Sequence, residues 1–532
     1  MESESFENEQ TVFTHQQHGT MDEFHRSYER AIETVKAKLG NTHPLRIDGQ
    51  PVETNDHFTV TSPGDTSLEI GRFADGTADA VDRAVTAASD TFDEWRGTHW
   101  SERAETAQNA ADHMCDRKYE LAAVLTLENG KNRTEAMADI DEGIDFLRFY
   151  SRELKRNDGY VIDTGEPTPQ QHCTNRLEPF GVFGVIGPFN FPFAIFAGMT
   201  MGAVLAGNTV VAKPASTTPL IAHEVVDILS AAGLPEGVVN LVTGGGRAVG
   251  QPLVEHQEVD GMVFTGSRDV GRNIQKTFFD QGKNGPVIAE LGGKNPVIVT
   301  ANADLQKAVS GVKNGAFGFS GQKCSATARV YVHEDVVDQF TRRLVSETEA
   351  LSIRPPEQKD ALLAPLIDES AEERYRSICD TAREEGRIRM GGSTVTSADL
   401  PDGRYVEPTV VTDIPHGHEL AREEHFLPFV TIHPVSDVDE AITKANESQY
   451  GLCAGLFSED EDEVTEWFER IESGMCYVNR HQSATTGALV QAQPFGGWKS
   501  SGTTSKFAGG YWYLPQFMRE QTRTVVGEVG RQ

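Results

Sequence analysis

VFGVIG (residues 182–187), NTVVAK (208–213), VVNLV (238–242) and GMVFTG (261–266) are short, apolar, β-rich runs. Helical patterns alternate with them at 219–232, after Gly246 and from Val270. Strands separated by helices predict βαβ units and a parallel sheet, whose strand carboxyl ends are where nucleotides bind. Downstream, NPVIV (295–299), a helical stretch at 303–314, ARVYVH (328–333) and a second helical stretch at 335–350 predict another α/β unit. Upstream the period is helical at 21–39, where Tyr28, Ile32 and Val35 share a face, at 77–95, and in long segments over 102–156. The first quarter therefore reads as mainly helix, preceded by about twenty polar residues expected to be loose. The tail, 496–526, is rich in Gly and Thr and ends in the strand-like RTVV (523–526), free to pair with another element or subunit.

The bulk numbers narrow the functional classes. A chain of 532 residues with 38% apolar content is long enough for two or three domains around sizeable cores. Its net charge of −32 excludes a phosphate-binding basic face, so neither nucleic acid nor an anionic membrane is an expected partner. Thinly spread acid, with Arg outnumbering Lys, suits a surface solvated in a high-salt cytoplasm, where screening shortens to about 3 Å at 1 M. Six cysteines without metal-like or framework spacing read as free thiols in a reducing compartment, and no metal site is expected. The acidic first residues hold no apolar leader and no stretch approaches membrane-spanning length, which makes the cytoplasm the expected location.

Four motifs carry chemistry. In GFSGQKCSATAR (318–329), small neighbours let a ligand approach Cys324 and Lys323 offers positive charge, the setting in which a thiol ionises. By itself the motif fits a buried small apolar side chain as well as a nucleophile. Glu290 in VIAELGGKNP (287–296) ends an apolar strand beside two glycines, where burial would raise its pKa and suit it to general-base work, although an ordinary loop acid reads the same way. Asn190 in GVIGPFNFP (184–192) offers a side-chain amide able to stabilise an oxyanion, or serves a turn. FTGSRDVG (264–271) could bring backbone amides to a phosphate at a helix start, and GGGRAVG (244–250) is equally a tight turn.

Taken in order, GVIGPFNFP, NTVVAKPAS, FTGS, ELGGKNP, FSGQKCSA, EEHF and PFGGWKSSG resemble the aldehyde dehydrogenase superfamily from about Leu45 onward. The resemblance implies a covalent mechanism with Cys324 as nucleophile, Glu290 as the base for hydrolytic water, and Asn190 with the Cys324 amide as oxyanion hole. It implies NAD as cofactor, NADP being possible because Ser216 stands where NAD-preferring members often carry Glu. Lys213 and Ser216 would reach the adenosine ribose, Gly266 and Ser267 the pyrophosphate, and Glu424 with Phe426 the nicotinamide half. Ile186, Pro188, Phe189, Val270 and Leu291 would complete that surface. The family's Gly-Pro after this Phe is replaced by Leu427-Pro428, which bears on the loop carrying Glu424.

HPLRIDGQPV (43–52) with the extension before it, EGIDFLRFYSREL (142–154), AFGFSGQKCSA (316–326) and TTGALVQAQPFGG (485–497) are similar to one branch, the 1-pyrroline-5-carboxylate (glutamate γ-semialdehyde) dehydrogenases of proline degradation. That resemblance implies a loop at Thr486, Gly487 and Ala488 whose amides bind the substrate carboxylate. It places Ser325 beside the nucleophile, Phe191 and Phe495 against the aliphatic chain, and Glu142 on the pocket wall. The implied fold is α/β and aldehyde dehydrogenase-like: an N-terminal extension (1–44), a Rossmann-type NAD(P)-binding domain (45–155 and 178–289), a catalytic domain (290–495) and a small β oligomerisation element (156–177 and 496–532). A homo-oligomer taking a small semialdehyde, with a proline dehydrogenase acting upstream, is expected. Enzymes for succinate or 2-oxoglutarate semialdehyde are the nearest rivals, disfavoured by TTGALVQAQPFGG. A CoA-acylating enzyme would not need Glu290, and a non-catalytic paralogue would not need Cys324, Glu290 and Asn190 together.

Overall fold

The computed structural model describes residues 6–481 and 489–527. Within the lead expected to be loose, residues 11–18 instead form a helix, α1 (Thr11–His18), and α2 (Met21–Lys36) follows where a helix is expected. α2 packs on the body of the protein through its spacing. Phe24, Tyr28, Ile32 and Val35 recur every three or four residues, all are buried, and such a stripe needs a partner surface. The Tyr28 hydroxyl donates to the Ala122 carbonyl at 2.8 Å and lies 2.7 Å from the Thr126 hydroxyl. The first quarter also contains five strands that a helical reading passes over: β1 (Asn41–His43), β2 (Leu45–Ile47), β3 (Gln50–Val52), β4 (His57–Thr61) and β5 (Glu69–Ala74). Runs of three to six residues are too short for a period to register. Helices α3 (Ala78–Gly97), α4 (Trp100–Asp116), α5 (Lys118–Asn129) and α6 (Arg133–Arg156) follow, then β6 (Val161–Gly165) and β7 (Gln171–Pro179).

The next stretch is β8 (Val182–Ile186), α7 (Ala194–Leu205), β9 (Thr209–Lys213), α8 (Pro219–Ala231), β10 (Val239–Leu241), α9 (Gln251–Glu255), β11 (Gly261–Thr265), α10 (Arg268–Asp280) and β12 (Val287–Glu290). The strands lie in the order β12-β11-β8-β9-β10-β2-β3. The first five are parallel, and the β2–β3 hairpin adds an antiparallel edge. The chain enters at the central β8, steps outward to β10, then returns to the other side of β8 as β11. Loops leaving β8 and β11 therefore diverge, and the crevice between them is the switch point where such sheets hold nucleotides. Helix α7 is apolar all round, and all its residues but Ile195 are buried. GGGRAVG is no simple turn: residues Gly246–Gly250 form one turn of π-helix leading into α9.

A second sheet is built from β13 (Asn295–Val299), α11 (Leu305–Phe317), β14 (Thr327–His333), α12 (Val337–Glu349), α13 (Glu369–Glu385), β15 (Arg387–Met390), β16 (Thr409–Thr412), α14 (Glu419–Arg422), β17 (Phe429–Val435), α15 (Val438–Asn446), β18 (Tyr450–Gly451), β19 (Cys453–Phe457), α16 (Glu461–Arg470) and β20 (Met475–Val478). Its order is β15-β16-β17-β14-β13-β19-β20, parallel except for β15. β21 (Trp498–Lys499) pairs with β18, and β22 (Met518–Val526) with β7, from Met518 opposite Pro179 to Val526 opposite Gln171. The RTVV run thus pairs within its own chain. Among the described residues, no helix is long and apolar enough to cross a membrane and no group of acidic, His or Cys side chains could hold a metal.

Phe24 is fully buried. Replacing it with Ala should lower stability by about 3 kcal/mol, seen as an earlier midpoint in guanidinium unfolding followed by tryptophan fluorescence. An unmoved midpoint would mean that α2 lies outside the cooperative core.

Candidate active site

Cys324 sits on a loop held from several sides. Phe319, Ser320 and Gly321 all adopt left-handed backbone with φ near 49°, 50° and 67°, a conformation costly for the first two that persists only where the surroundings enforce it. The enforcing contacts are present. Ser320 Oγ donates to Ala364 O at 2.6 Å, Phe319 N to Glu135 Oε2 at 3.2 Å, and Gln322 Nε2 to Pro365 O at 3.1 Å. A Cβ on Gly321 would lie 2.2 Å from the Leu427 carbonyl oxygen. The Leu427-Pro428 departure thus leaves that loop packed directly beneath the cysteine loop. From the other side Asn295 Nδ2 donates to the carbonyls of Cys324 and Ala326, at 2.7 and 2.9 Å, while its Oδ1 accepts from Cys453 N at 3.0 Å.

The electrostatics differ from the simple expectation. Lys323 does not serve the thiol, because its Nζ is committed to Glu135 Oε1 at 2.7 Å. Burial, then the carboxyls of Glu424 and Glu290, push the Cys324 thiol well up, opposed by the backbone amides of Ser325 and Cys324. Glu290 ends β12 and is pushed up to about 8 by burial, against one hydrogen bond from the Ala508 amide. Its Oε1 is buried with no partner among the described residues. A buried carboxyl oxygen left unpaired is costly and open to a water or a ligand. Glu424 is raised to about 7 by burial, against the Gly293 N–H that its Oε1 accepts at 2.9 Å. Desolvation thus makes all three groups hold their protons more tightly than usual, the thiol most of all, an arrangement suited to passing protons when pH or a ligand shifts them.

One cavity of about 480 Å³ joins Cys324 and Glu290. Cys324, Ser325, Glu290, Phe191, Phe495 and Glu142 all line it, although sequence separates them by up to 353 residues, from 142 to 495. Glu142 is raised well above the carboxylate range by burial, then by Asp139. Asn190 is buried in the segment joining β8 to α7, next to Phe191. Gly487 and Ala488, with Thr486, lie outside the described residues. Behind the Phe191 ring lies a pair with no signal in the sequence. Lys131 and Asp139 form an ion pair at 2.8 Å with no exposure on either side chain, and the Lys131 ammonium lies 3.6 Å from the centre of the Phe191 ring. Asp139 Oδ1 accepts from Ala194 N at 2.8 Å, so the pair braces both Phe191 and the first turn of α7.

The other named residues gather at the switch point. Ile186 closes β8, followed by Pro188 and Phe189, and Lys213 closes β9, where burial lowers its pKa to about 8. Ser216 Oγ donates to Gly244 O at 2.9 Å. Gly266 follows β11, and Ser267 precedes α10 without a side-chain cap, so the first amides of α10 are free for an anion. Val270, in that turn, is half exposed, an apolar side chain fit for a flat ligand. Leu291 packs on Gly271, where a Cβ would stand 2.4 Å from it. Phe426 is held at φ 60° with its ring edge-on to Phe189 at 5.7 Å. These residues fit a dinucleotide: a helix start for phosphates, a buried lysine, and an exposed apolar side chain in the first turn of α10.

Because burial and two acids keep the thiol protonated, ligand-free Cys324 should react with iodoacetamide more slowly than free cysteine at pH 7 and gain steeply as pH rises. Glu290→Gln removes a neighbouring negative charge, so its alkylation should be faster than wild type, with the gap opening above pH 8 where Glu290 ionises. Equal rates across pH 7 to 10 would remove the coupling between these two groups.

The geometry can be set beside known proteins. The chain is 39% identical over 504 residues to the 1-pyrroline-5-carboxylate dehydrogenase of Bacillus mycoides, covering 93% of this chain and 95% of that one. It superposes with a TM-score of 0.91 and 34% identity on 1-pyrroline-5-carboxylate dehydrogenase from Thermus with bound NAD, covering 99% of this chain and all of the other. It also matches proline utilization A from Bdellovibrio bacteriovorus at a TM-score of 0.92 and 33% identity, covering 99% of this chain and 54% of that one. Residues 51–523 match the aldehyde dehydrogenase family, and this chain is a member of it.

Proposed function

We propose that this enzyme oxidises glutamate γ-semialdehyde, the open form of 1-pyrroline-5-carboxylate, to glutamate with NAD⁺. The observation that carries the reading is the single cavity in which a thiol, an unpaired buried carboxyl and an apolar wall converge, in a chain that matches such enzymes over nearly its whole length. Cys324 is the nucleophile. Cys324 gives up its proton to solvent, the thiolate attacks the aldehyde carbon, and the oxyanion formed is met by the Cys324 amide and the Asn190 side chain. Lys213, Ser216, Gly266, Ser267, Glu424 and Phe426 would hold NAD⁺, which would accept the hydride from the tetrahedral adduct and so supply the two-electron oxidation to a thioester on Cys324. Glu290 then takes a proton from water, hydroxide displaces the sulfur, and the carboxylic acid leaves.

Phe191 and Phe495 flank the aliphatic chain, Ser325 and Glu142 line the remainder, and the amides of Gly487 and Ala488 take the carboxylate. The strand arrangement supports a homo-oligomer joined through β6, β7 and β22, since β6 exposes Ile162 at its edge. The NAD(P)-binding unit comprises 45–155 and 178–289, the catalytic unit 290–495, and the oligomerisation element 156–177 with 496–532. A salt-rich cytoplasm matches the net charge of −32. A proline dehydrogenase supplying the semialdehyde fits the match to proline utilization A.

The test is steady-state kinetics with NAD⁺ and glutamate γ-semialdehyde against propanal. An anchored carboxylate is worth about 1.5 to 3 kcal/mol, so kcat/KM should favour the semialdehyde roughly ten- to a hundredfold. Equal values would sink the substrate assignment. Cys324→Ala should abolish oxidation while NAD⁺ still binds. Glu290→Gln should give a burst of NADH followed by slow turnover, and a steady rate equal to wild type would take Glu290 out of the hydrolytic half.

A further inference from the structure

Residues 8–13 are not a passive lead. Asn8, Glu9, Gln10, Val12 and Phe13 line the same cavity as Cys324 and Glu290. They are fastened to the face of α6 that carries Glu142. Asn8 Nδ2 donates to Asp145 Oδ2 and to the Val490 carbonyl, each at 3.1 Å, and Glu9 N donates to Asp145 Oδ1 at 2.9 Å. Thr11 donates twice to Asp141, from N and from Oγ1, both at 2.8 Å. The Glu9 carboxylate pairs with Lys118 at 3.1 Å and Arg148 at 2.9 Å. Asp141 and Asp145 are buried, so lifting this segment would strand two carboxyls without those partners. A segment anchored so firmly presents its side chains as a fixed wall. Phe13, half exposed, stands where that wall reaches solvent.

The region shared across the family begins at residue 51, so this wall is supplied from outside the common domain. We infer that residues 8–13 are a substrate-size determinant, one side of the cavity that limits the length of the aldehyde reaching Cys324. This rests on the reading of the cavity as an aldehyde site, and it concerns length, whereas the choice of glutamate γ-semialdehyde concerns charge. Truncating the wall should admit longer chains, and bulking it should reject them.

The experiment uses the full chain and two straight aldehydes, propanal and hexanal, with NAD⁺ saturating. Gln10→Ala/Val12→Ala/Phe13→Ala leaves the clamps at Asn8, Glu9 and Thr11 in place and should raise the hexanal-to-propanal ratio of kcat/KM about tenfold, the scale on which one or two methylenes are discriminated in a pocket. Val12→Trp should lower the same ratio by a similar factor. A merely structural role would depress both aldehydes together and could not move the ratio in opposite directions. If both variants keep the wild-type ratio, the inference is overturned; should the triple variant fail to accumulate as folded protein, Val12→Trp alone decides. A wild type that prefers propanal to glutamate γ-semialdehyde would remove the proposed substrate yet leave this ratio readable.

Discussion

The side chain of Asn295 holds the candidate site together. Through three hydrogen bonds it joins the start of β13 to the carbonyls on either side of Ser325 and to the first amide of β19. An amide offers two donors and an acceptor with two lone pairs, so here nearly all its capacity is committed. Asn295 lies only five residues after Glu290, and Gly292 and Gly293 fill the space between. A Cβ on Gly293 would fall 2.6 Å from the Cys324 carbonyl, and one on Gly292 would fall 1.8 Å from Glu424 Oε2. One short segment thus fixes the acid that ends the first sheet, the Glu424 carboxyl, and the loop that carries the thiol. Bulk at either glycine would separate groups that must be adjacent.

The second constraint is charge. Glu290 and Glu424 both act on the Cys324 thiol, Glu290 also acts on Glu142, and desolvation raises the pKa of all three acids. Ionised carboxylates so close together in a poorly solvated site repel strongly, so each proton held there eases the crowding. Lys131, behind the Phe191 ring, is neutralised by Asp139 and spends its charge on that ring, so it adds rigidity more than field. A buried pair of this kind is weak evidence for stability, since desolvation consumes much of the attraction. Its value here is positional.

Much of this was legible in the residues. Alternating apolar runs revealed the parallel strands, and the placing of Glu290 and Cys324 beside glycines marked both as approachable. Joining them into one mechanism came from motif order and family resemblance, because the cavity is assembled from segments hundreds of positions apart. The features that escaped share that cause. Lys323 looked like a charge for the thiol, but its partner Glu135 is 188 residues away. Lys131 and Asp139 are near in sequence, yet neither predicts that the other's environment is fully buried. The first twenty residues read as loose because α1 has almost no apolar face, and what secures the segment is hydrogen bonding to Asp141 and Asp145 on a distant helix.

The pairing of β22 with β7 has a consequence in the order of synthesis. β7 leaves the ribosome early, but its partner strand follows about 340 residues later, from Pro179 to Met518. At roughly 5 to 20 residues per second that is a wait of about 17 to 70 seconds. During this interval β7 has β6 on one side and an open row of amides and carbonyls on the other, an edge that invites pairing with a neighbouring nascent chain. The charged side chains already present, Asp163 on β6 with Arg176 and Glu178 on β7, disfavour such premature pairing until β22 arrives and closes the edge from within its own chain.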